Sequence, residues 1–324
     1  MRRSLVIHIV QQFTNPHGGT ELRAISLYNI LKRHTQVRLW SEFDPDPGLA
    51  ADWPIRQIRP KRLAFPKFGT FIFCGACWYV GRWLEVTFPR RIIVLHNYPH
   101  HSYQDWFRRA KSPWMPEIEW VFASEQMRKD AALDGLVEPS PIDLEQFRPT
   151  GTRKRNQEFT VGRLSRDVSE KHHADDCDLY MRLAEAGVKV RIMGGTVLRE
   201  KMPPHPMIEL LPAGAEAPEE FLSTLDCFLY RTRSDWFEAF GRVVLEAMAC
   251  GLPVVAGNRG GYVERIEDGR NGFVFESNAE AIQKIMRLRD EQDVYASISA
   301  KARETATELY GEGLPRDIID FYLR

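Results

Sequence analysis

Two glutamates, Glu238 and Glu246, stand in the run from Phe237 to Val255, FEAFGRVVLEAMACGLPVV. The run reads as a polar turn, a helix over 239–250, a Gly251-Leu252-Pro253 stop and a buried strand. Backbone N–H groups around Ala239, Phe240 and Gly241 would have no acceptor at such a helix start, so phosphate oxygens could take them. A carboxylate just before the start can accept hydrogen bonds from sugar hydroxyls. One two turns inside can grip a ribose diol. Taken singly, each acid is equally well a capping residue or a solvated helix residue.

Other groups could serve the same ligand. Val161-Gly-Arg163 ends a strand in a guanidinium, and Lys171 returns at the next helix start. An Arg and a Lys so placed provide fixed positive charge for a leaving diphosphate. Gly18-Gly19 lies between the first strand and the first helix, where glycines admit close backbone approach and the helix start favours anions. The dinucleotide fingerprint G-x-G-x-x-G is absent. His96 follows the apolar run 92–95, at the carboxyl end of a buried strand.

The elements that must position these groups fall into two similar halves. Short β-branched runs at 5–10, 37–40, 70–74, 92–95 and 120–123 alternate with helix-like segments, the clearest over 20–33. A proline-rich connector from Glu138 to Pro149 interrupts the rhythm, which then restarts. Strands are expected at 159–161, 188–193, 208–211, 227–230, 253–256 and 272–275, with helices near 174–186 and 279–289. The tail from Gln292 reads as helical with a break near Gly311–Pro315. This is an α/β chain of two doubly wound, Rossmann-like domains, 1–150 and 151–310, facing across a cleft. Residues 311–324 form a terminal helix that could pack back on the N-terminal domain.

The Glu238–Glu246 string resembles the Glu-x7-Glu signature of retaining glycosyltransferases of the GT-B fold, above all glycosyltransferase family 4 (glycosyl transferases group 1). The resemblance is close from about residue 159 to 276. It implies that Glu238 binds the transferred sugar and Glu246 the ribose, with Ala239, Phe240 and Gly241 at the phosphates. Arg163 and Lys171 would hold the diphosphate, and Gly18 and Gly19 would form the loop over it. His96 is similar to the family's histidine near the reacting centre, although Asn97 stands where the family often has an acid. The implied activity is metal-independent, retaining transfer of a hexosyl group from a nucleotide-diphosphate-sugar, without a cofactor. The acceptor would be a glycan or lipid-linked glycan in polysaccharide or glycoconjugate assembly. A nucleotide-sugar epimerase of similar fold and a degenerate binding subunit are the alternatives.

Three patterns read as decoys. Asp44-Pro-Asp46 spells a metal-binding Asp-x-Asp in a proline-rich loop. Cys74-Gly-Ala-Cys77 has redox spacing without a second pair. His96, His100 and His101 have no carboxylate cluster beside them. Aromatics and arginines from Trp78 through Trp83, Arg90, Arg91, Tyr98, Tyr103, Trp106 and Phe107 to Arg109 could meet a glycan.

The totals exclude some classes. The 324 residues are 44% hydrophobic and 27% charged, as in a globular protein, and the formal net charge is zero. No nucleic-acid partner is indicated. The first 150 residues carry about +5 and the rest about −5, so the N-terminal half could meet an anionic membrane surface. Five irregularly spaced cysteines make no disulfide framework. No signal segment or spanning stretch is apparent, which places the chain in the cytoplasm, at most peripheral to the inner face of a membrane.

Overall fold

The computed structural model describes residues 6–75, 82–97, 114–150, 158–311 and 313–324. The chain divides into two compact units, Met1–Pro141 with Glu312–Arg324, and Ile142–Gly311.

The first unit holds a seven-stranded sheet: β1 (Val6–Gln11), β2 (Gln36–Ser41), β3 (Ile55–Gln57), β4 (Phe68–Cys74), β5 (Phe88–His96), β6 (Ile118–Phe122) and β7 (Gly135–Val137). Its order is β3-β2-β1-β4-β5-β6-β7, and every pairing is parallel. Strand periodicity decides which residues meet which layer. Ile7, Ile9, Leu39, Ile72, Ile93 and Leu95 share one core with α1 (Gly19–Leu31). The carboxyl-terminal helix, Arg316–Leu323, adds Ile318, Ile319 and Tyr322 to that core.

A buried polar knot fastens it. Arg23 and Glu138 pair at 3.0 Å with side chains 2% and 0% exposed. Tyr322 Oη donates to Glu138, and Arg23 Nη1 donates to Asn97 Oδ1. Removing one partner of such a pair would leave the other charged and dry.

On the opposite face, the segment from Ile58 to Lys67 joins β3 to β4 through one 3-10 turn, Pro60–Arg62, and no helix.

The second unit holds six parallel strands: β8 (Thr160–Leu164), β9 (Lys189–Met193), β10 (Ile208–Leu211), β11 (Cys227–Tyr230), β12 (Val254–Gly257) and β13 (Phe273–Phe275). The order is β10-β9-β8-β11-β12-β13. Its core joins Val161, Val190, Leu229 and Val255 to helices Asp176–Glu185, Asn278–Asp290 and Gln292–Tyr310. Each sheet is therefore a doubly wound, Rossmann-like sheet. The strand order reverses between β1 and β4 in the first and between β8 and β11 in the second. Loops leaving such strand pairs diverge, and ligands of open α/β sheets bind there.

Among the described residues no helix is long and apolar enough to cross a membrane.

Candidate functional site

The reversal in the second unit is where the sequence motifs converge. Arg163 sits near the end of β8. Lys171 follows in a 3-10 turn, Ser169–Lys171, rather than at the start of the next helix, which begins at Asp176. Tyr230 ends β11, and Glu238 lies in the irregular segment after it.

Lys171 Nζ and Glu238 Oε2 form an ion pair with side chains 11% and 16% exposed. Tyr230 Oη donates to the same carboxylate oxygen at 3.0 Å. Burial alone would raise the Glu238 pKa; Lys171, Tyr230 and Arg166 outweigh it and hold the carboxyl below its ordinary value. The site therefore keeps an ionised acid in a partly dry pocket, which requires a cation within contact. Trp236 walls it, with Lys171 Nζ 5.9 Å from its ring centre.

Arg163 stands behind this pair instead of facing solvent. Its side chain is 1% exposed, and Nη2 donates to the Lys171 carbonyl. Nη1 donates to the Arg231 carbonyl at 2.9 Å and to Asp176 Oδ2 at 3.3 Å. The guanidinium also lies over the Tyr230 ring, 4.9 Å from its centre. Asp176 is shared, since Arg231 Nε donates to its other oxygen at 2.6 Å. The two arginines and Asp176 form a charged floor, and the Lys171 main chain is tied to it.

The helix carrying the second glutamate runs from Arg242 to Ala249, shorter than the expected 239–250. Gly241, at its N-cap, has φ 73°, a left-handed value that ends helical geometry there. A Cβ at Gly241 would stand 2.6 Å from Tyr262 Cδ1, so the ring packs directly on the backbone. Glu238, Ala239 and Phe240 thus precede the helix in an extended turn, and Glu246 lies just over one turn inside. Glu246 is buried and accepts from Arg242 Nε at 2.7 Å. Burial lifts its pKa above the ordinary value although Arg242 pulls the other way.

Gly18, Gly19 and His96 belong to the first unit. Gly18 is the N-cap of α1, and a Cβ there would collide with Glu21 Oε2 at 2.0 Å; over Gly19 nothing lies within 4 Å. His96 ends β5, buried beside Trp120 and Phe122. Asn97 accepts from Arg23, which gives that side chain a structural duty.

Asp46, one of the decoys, caps the helix Pro47–Asp52, accepting from the Gly48 and Leu49 N–H groups at 2.9 and 3.1 Å. Cys74 is buried, and burial pushes its thiol up to about 12. Of the aromatic and basic residues proposed to meet a glycan, Trp83 is buried against Phe65, Phe71 and Phe73. Arg91 pairs with Glu119 at 2.6 Å. Cys77, Trp78, Tyr79, Tyr98, His100, His101, Tyr103, Trp106, Phe107, Arg108 and Arg109 lie outside the described residues.

Tyr230, Trp236 and Arg166 were missed in the sequence. Tyr230 carried a usable signal: it is the last residue of a strand beside the reversal. Trp236 and Arg166 sit in irregular loops and carried none.

Residues 150–305 match the family described as Glycosyl transferases group 1. Spore coat protein SA of Bacillus subtilis is 36% identical over 81 residues, 24% of this chain and 22% of that protein. The chain thus matches about a fifth of that relative's length. Among solved structures, Anabaena HepE in complex with UDP and glucose superposes with TM-score 0.73 at 16% identity, covering 98% of each chain. WaaG, a glycosyltransferase involved in lipopolysaccharide biosynthesis, gives TM-score 0.72 at 13% identity, covering 98% of this chain and 99% of that one. At such identities these structures establish the fold, two Rossmann-like sheets of the GT-B class. The region that carries the Glu238–Glu246 motif, residues 150–305 of the chain, thus matches the glycosyl transferases group 1 family.

Proposed function

We propose that this chain transfers a sugar from a nucleotide-diphosphate-sugar to an acceptor hydroxyl with retention at the anomeric carbon. The observation that carries the reading is the contact of Lys171 with Glu238 at the β8/β11 reversal, beside the start of the Arg242–Ala249 helix. A diphosphate needs the first group and the helix start; a sugar needs the second.

In this reading the diphosphate lies across the N–H groups near Ala239, Phe240 and Gly241. Lys171 turns an N–H toward it. Arg163 acts from behind, adding its charge through a low-dielectric wall and fixing the Lys171 main chain. Glu238 accepts from sugar hydroxyls and Glu246 from the ribose diol. For Gly18, Gly19 and His96 the reading rests on the family resemblance alone, which assigns them a glycine loop and a histidine near the reacting centre. Neither glutamate is placed as a base, so the departing phosphate oxygen takes the acceptor proton on the face it leaves. No metal is required where Lys171, Arg163 and a helix start already oppose the developing charge. HepE's complex with UDP and glucose supports a UDP-sugar donor. A glycan or lipid-linked glycan is the proposed acceptor, WaaG's role in lipopolysaccharide biosynthesis being the supporting analogy.

Thermal shift with UDP-, GDP- and ADP-sugars tests the donor. Saturation at about 100 times Kd raises stability by roughly 2.7 kcal/mol. Chromatography of the same mixtures shows what happens to the sugar. Release of UDP supports transfer or its hydrolytic side reaction. Isomerised donor points to an epimerase, and binding with no turnover to a degenerate subunit; either refutes the proposal.

A further inference from the structure

The first unit contains a cavity of about 830 Å³ on the sheet face opposite α1. Its origin is topological. A parallel crossover normally spends a dozen or more residues, usually a helix, and that helix covers the sheet. Here the β3–β4 crossover has one 3-10 turn, so outward side chains of β1, β2 and β3 remain as the floor of an open cavity. Those side chains include His8, Arg38, Trp40 and Arg56, where a covered parallel sheet would carry aliphatics.

The lining is strongly basic. Arg38 and Arg56 rise from the floor, and Arg59, Arg62 and Lys67 come from the crossover; Asp44 is the one acidic residue lining it. None of these five cations has a carboxylate partner among the described residues. Uncompensated clustering of this kind is unfavourable for the free protein and suits an anionic ligand.

Two exposed apolar residues line the cavity, Leu63 and Phe68, 68% and 67% exposed, and Val86 and Phe88, outside its lining, are 64% and 71% exposed. Phe68 and Phe88 are register partners on β4 and β5, so the apolar edge continues directly from the cavity. Leu63 has φ 56°, left-handed backbone that favours Gly or Asn. Leu63 ends the 3-10 turn as its left-handed C-cap, its N–H donating to the Pro60 carbonyl, which leaves the side chain out in solvent.

We propose that this cavity receives the phosphate headgroup of an acidic phospholipid, with Leu63, Phe68, Val86 and Phe88 entering the interface around it. Cations alone would fit a soluble anion, and apolar residues alone would fit a protein. The combination of an open basic cavity, with room for a headgroup, and exposed apolar side chains beside it matches a membrane surface. The proposal is independent of the donor-site reading.

Cosedimentation of the full chain with phosphatidylcholine vesicles, with and without phosphatidylglycerol, tests it. Partition to the phosphatidylglycerol vesicles should be stronger and should weaken as salt rises. The double variant Arg56→Gln/Arg62→Gln should lose roughly 30-fold, about fivefold per cation. Leu63→Gly should lose about tenfold while melting no lower than wild type, because glycine relieves the left-handed backbone. Equal partition to both vesicle types overturns the proposal, as does undiminished binding by either variant. Saturable binding of soluble glycerol 3-phosphate without vesicle binding also overturns it, and makes the cavity a small-anion site.

Discussion

Replacing Glu238 by glutamine separates two demands on Lys171. In the ligand-free site the ammonium is held by the Glu238 carboxylate, and the pair is nearly dry at 11% and 16% exposure. Its gross attraction is about 4 kcal/mol at 4 Å and an effective dielectric near 20, and more at contact. Desolvation of both groups removes much of that, leaving a net worth of roughly 1.5–3 kcal/mol, as for hydrogen bonds to charged groups. A diphosphate arriving at Lys171 must draw on the same ammonium. Glu238→Gln keeps the shape and the acceptor carbonyl but releases the cation, so UDP should bind about tenfold or more tighter. The extra affinity contributed by the sugar should fall, because a neutral amide accepts more weakly from hydroxyls. Titration calorimetry of UDP and UDP-glucose against both proteins measures this directly. Tenfold weaker UDP binding in the variant would show that the carboxylate supports the diphosphate site and that the competition is wrong.

Arg163→Ala should reduce turnover by orders of magnitude and should also lower stability by about 3–5 kcal/mol, since Asp176 and the Lys171 carbonyl lose a buried partner; urea unfolding beside donor turnover reads both effects. Gly241→Ala places a Cβ against Tyr262 on left-handed backbone, and should cost about 1–3 kcal/mol and weaken UDP binding in parallel; calorimetric melting and UDP titration check it. His8 and His172 are buried, and burial lowers each to about 4. The unfolded chain takes up these protons near pH 6.5, so stability is full above that value and falls between pH 6.5 and 4. The loss is on the order of 3 kcal/mol per group. Denaturation midpoints across that range should follow the decline, and His172→Gln should flatten it.

Much of the fold was readable from local pattern. The strands Ile208–Leu211 and Cys227–Tyr230 coincide with their apolar runs. Short edge strands such as Ile55–Gln57 and Gly135–Val137 were not readable, because three residues show no period. The helix after Glu238 was drawn too long. Ala239 and Phe240 fit a helical pattern, yet Gly241 takes left-handed backbone with the Tyr262 ring packed where a Cβ would stand, and the helix starts only after it.

The candidate site was legible as residue types and less so as geometry. Arg163 was read at a strand end as a charge for the diphosphate, and what buries it is Asp176, the Tyr230 ring and the Arg231 carbonyl, contacts from distant parts of the chain. Lys171 meets Glu238 across 67 positions of chain, a pairing that no local period encodes.

The central claim is most directly tested by the stereochemistry of the first-formed sugar product. The purified chain is incubated with α-configured UDP-glucose and a simple acceptor alcohol, and the anomeric proton coupling is followed by NMR. Release of UDP with an α-glycoside as the first product is the predicted result, abolished in Lys171→Ala. A β-configured first product, or an undiminished rate in Lys171→Ala, would contradict it.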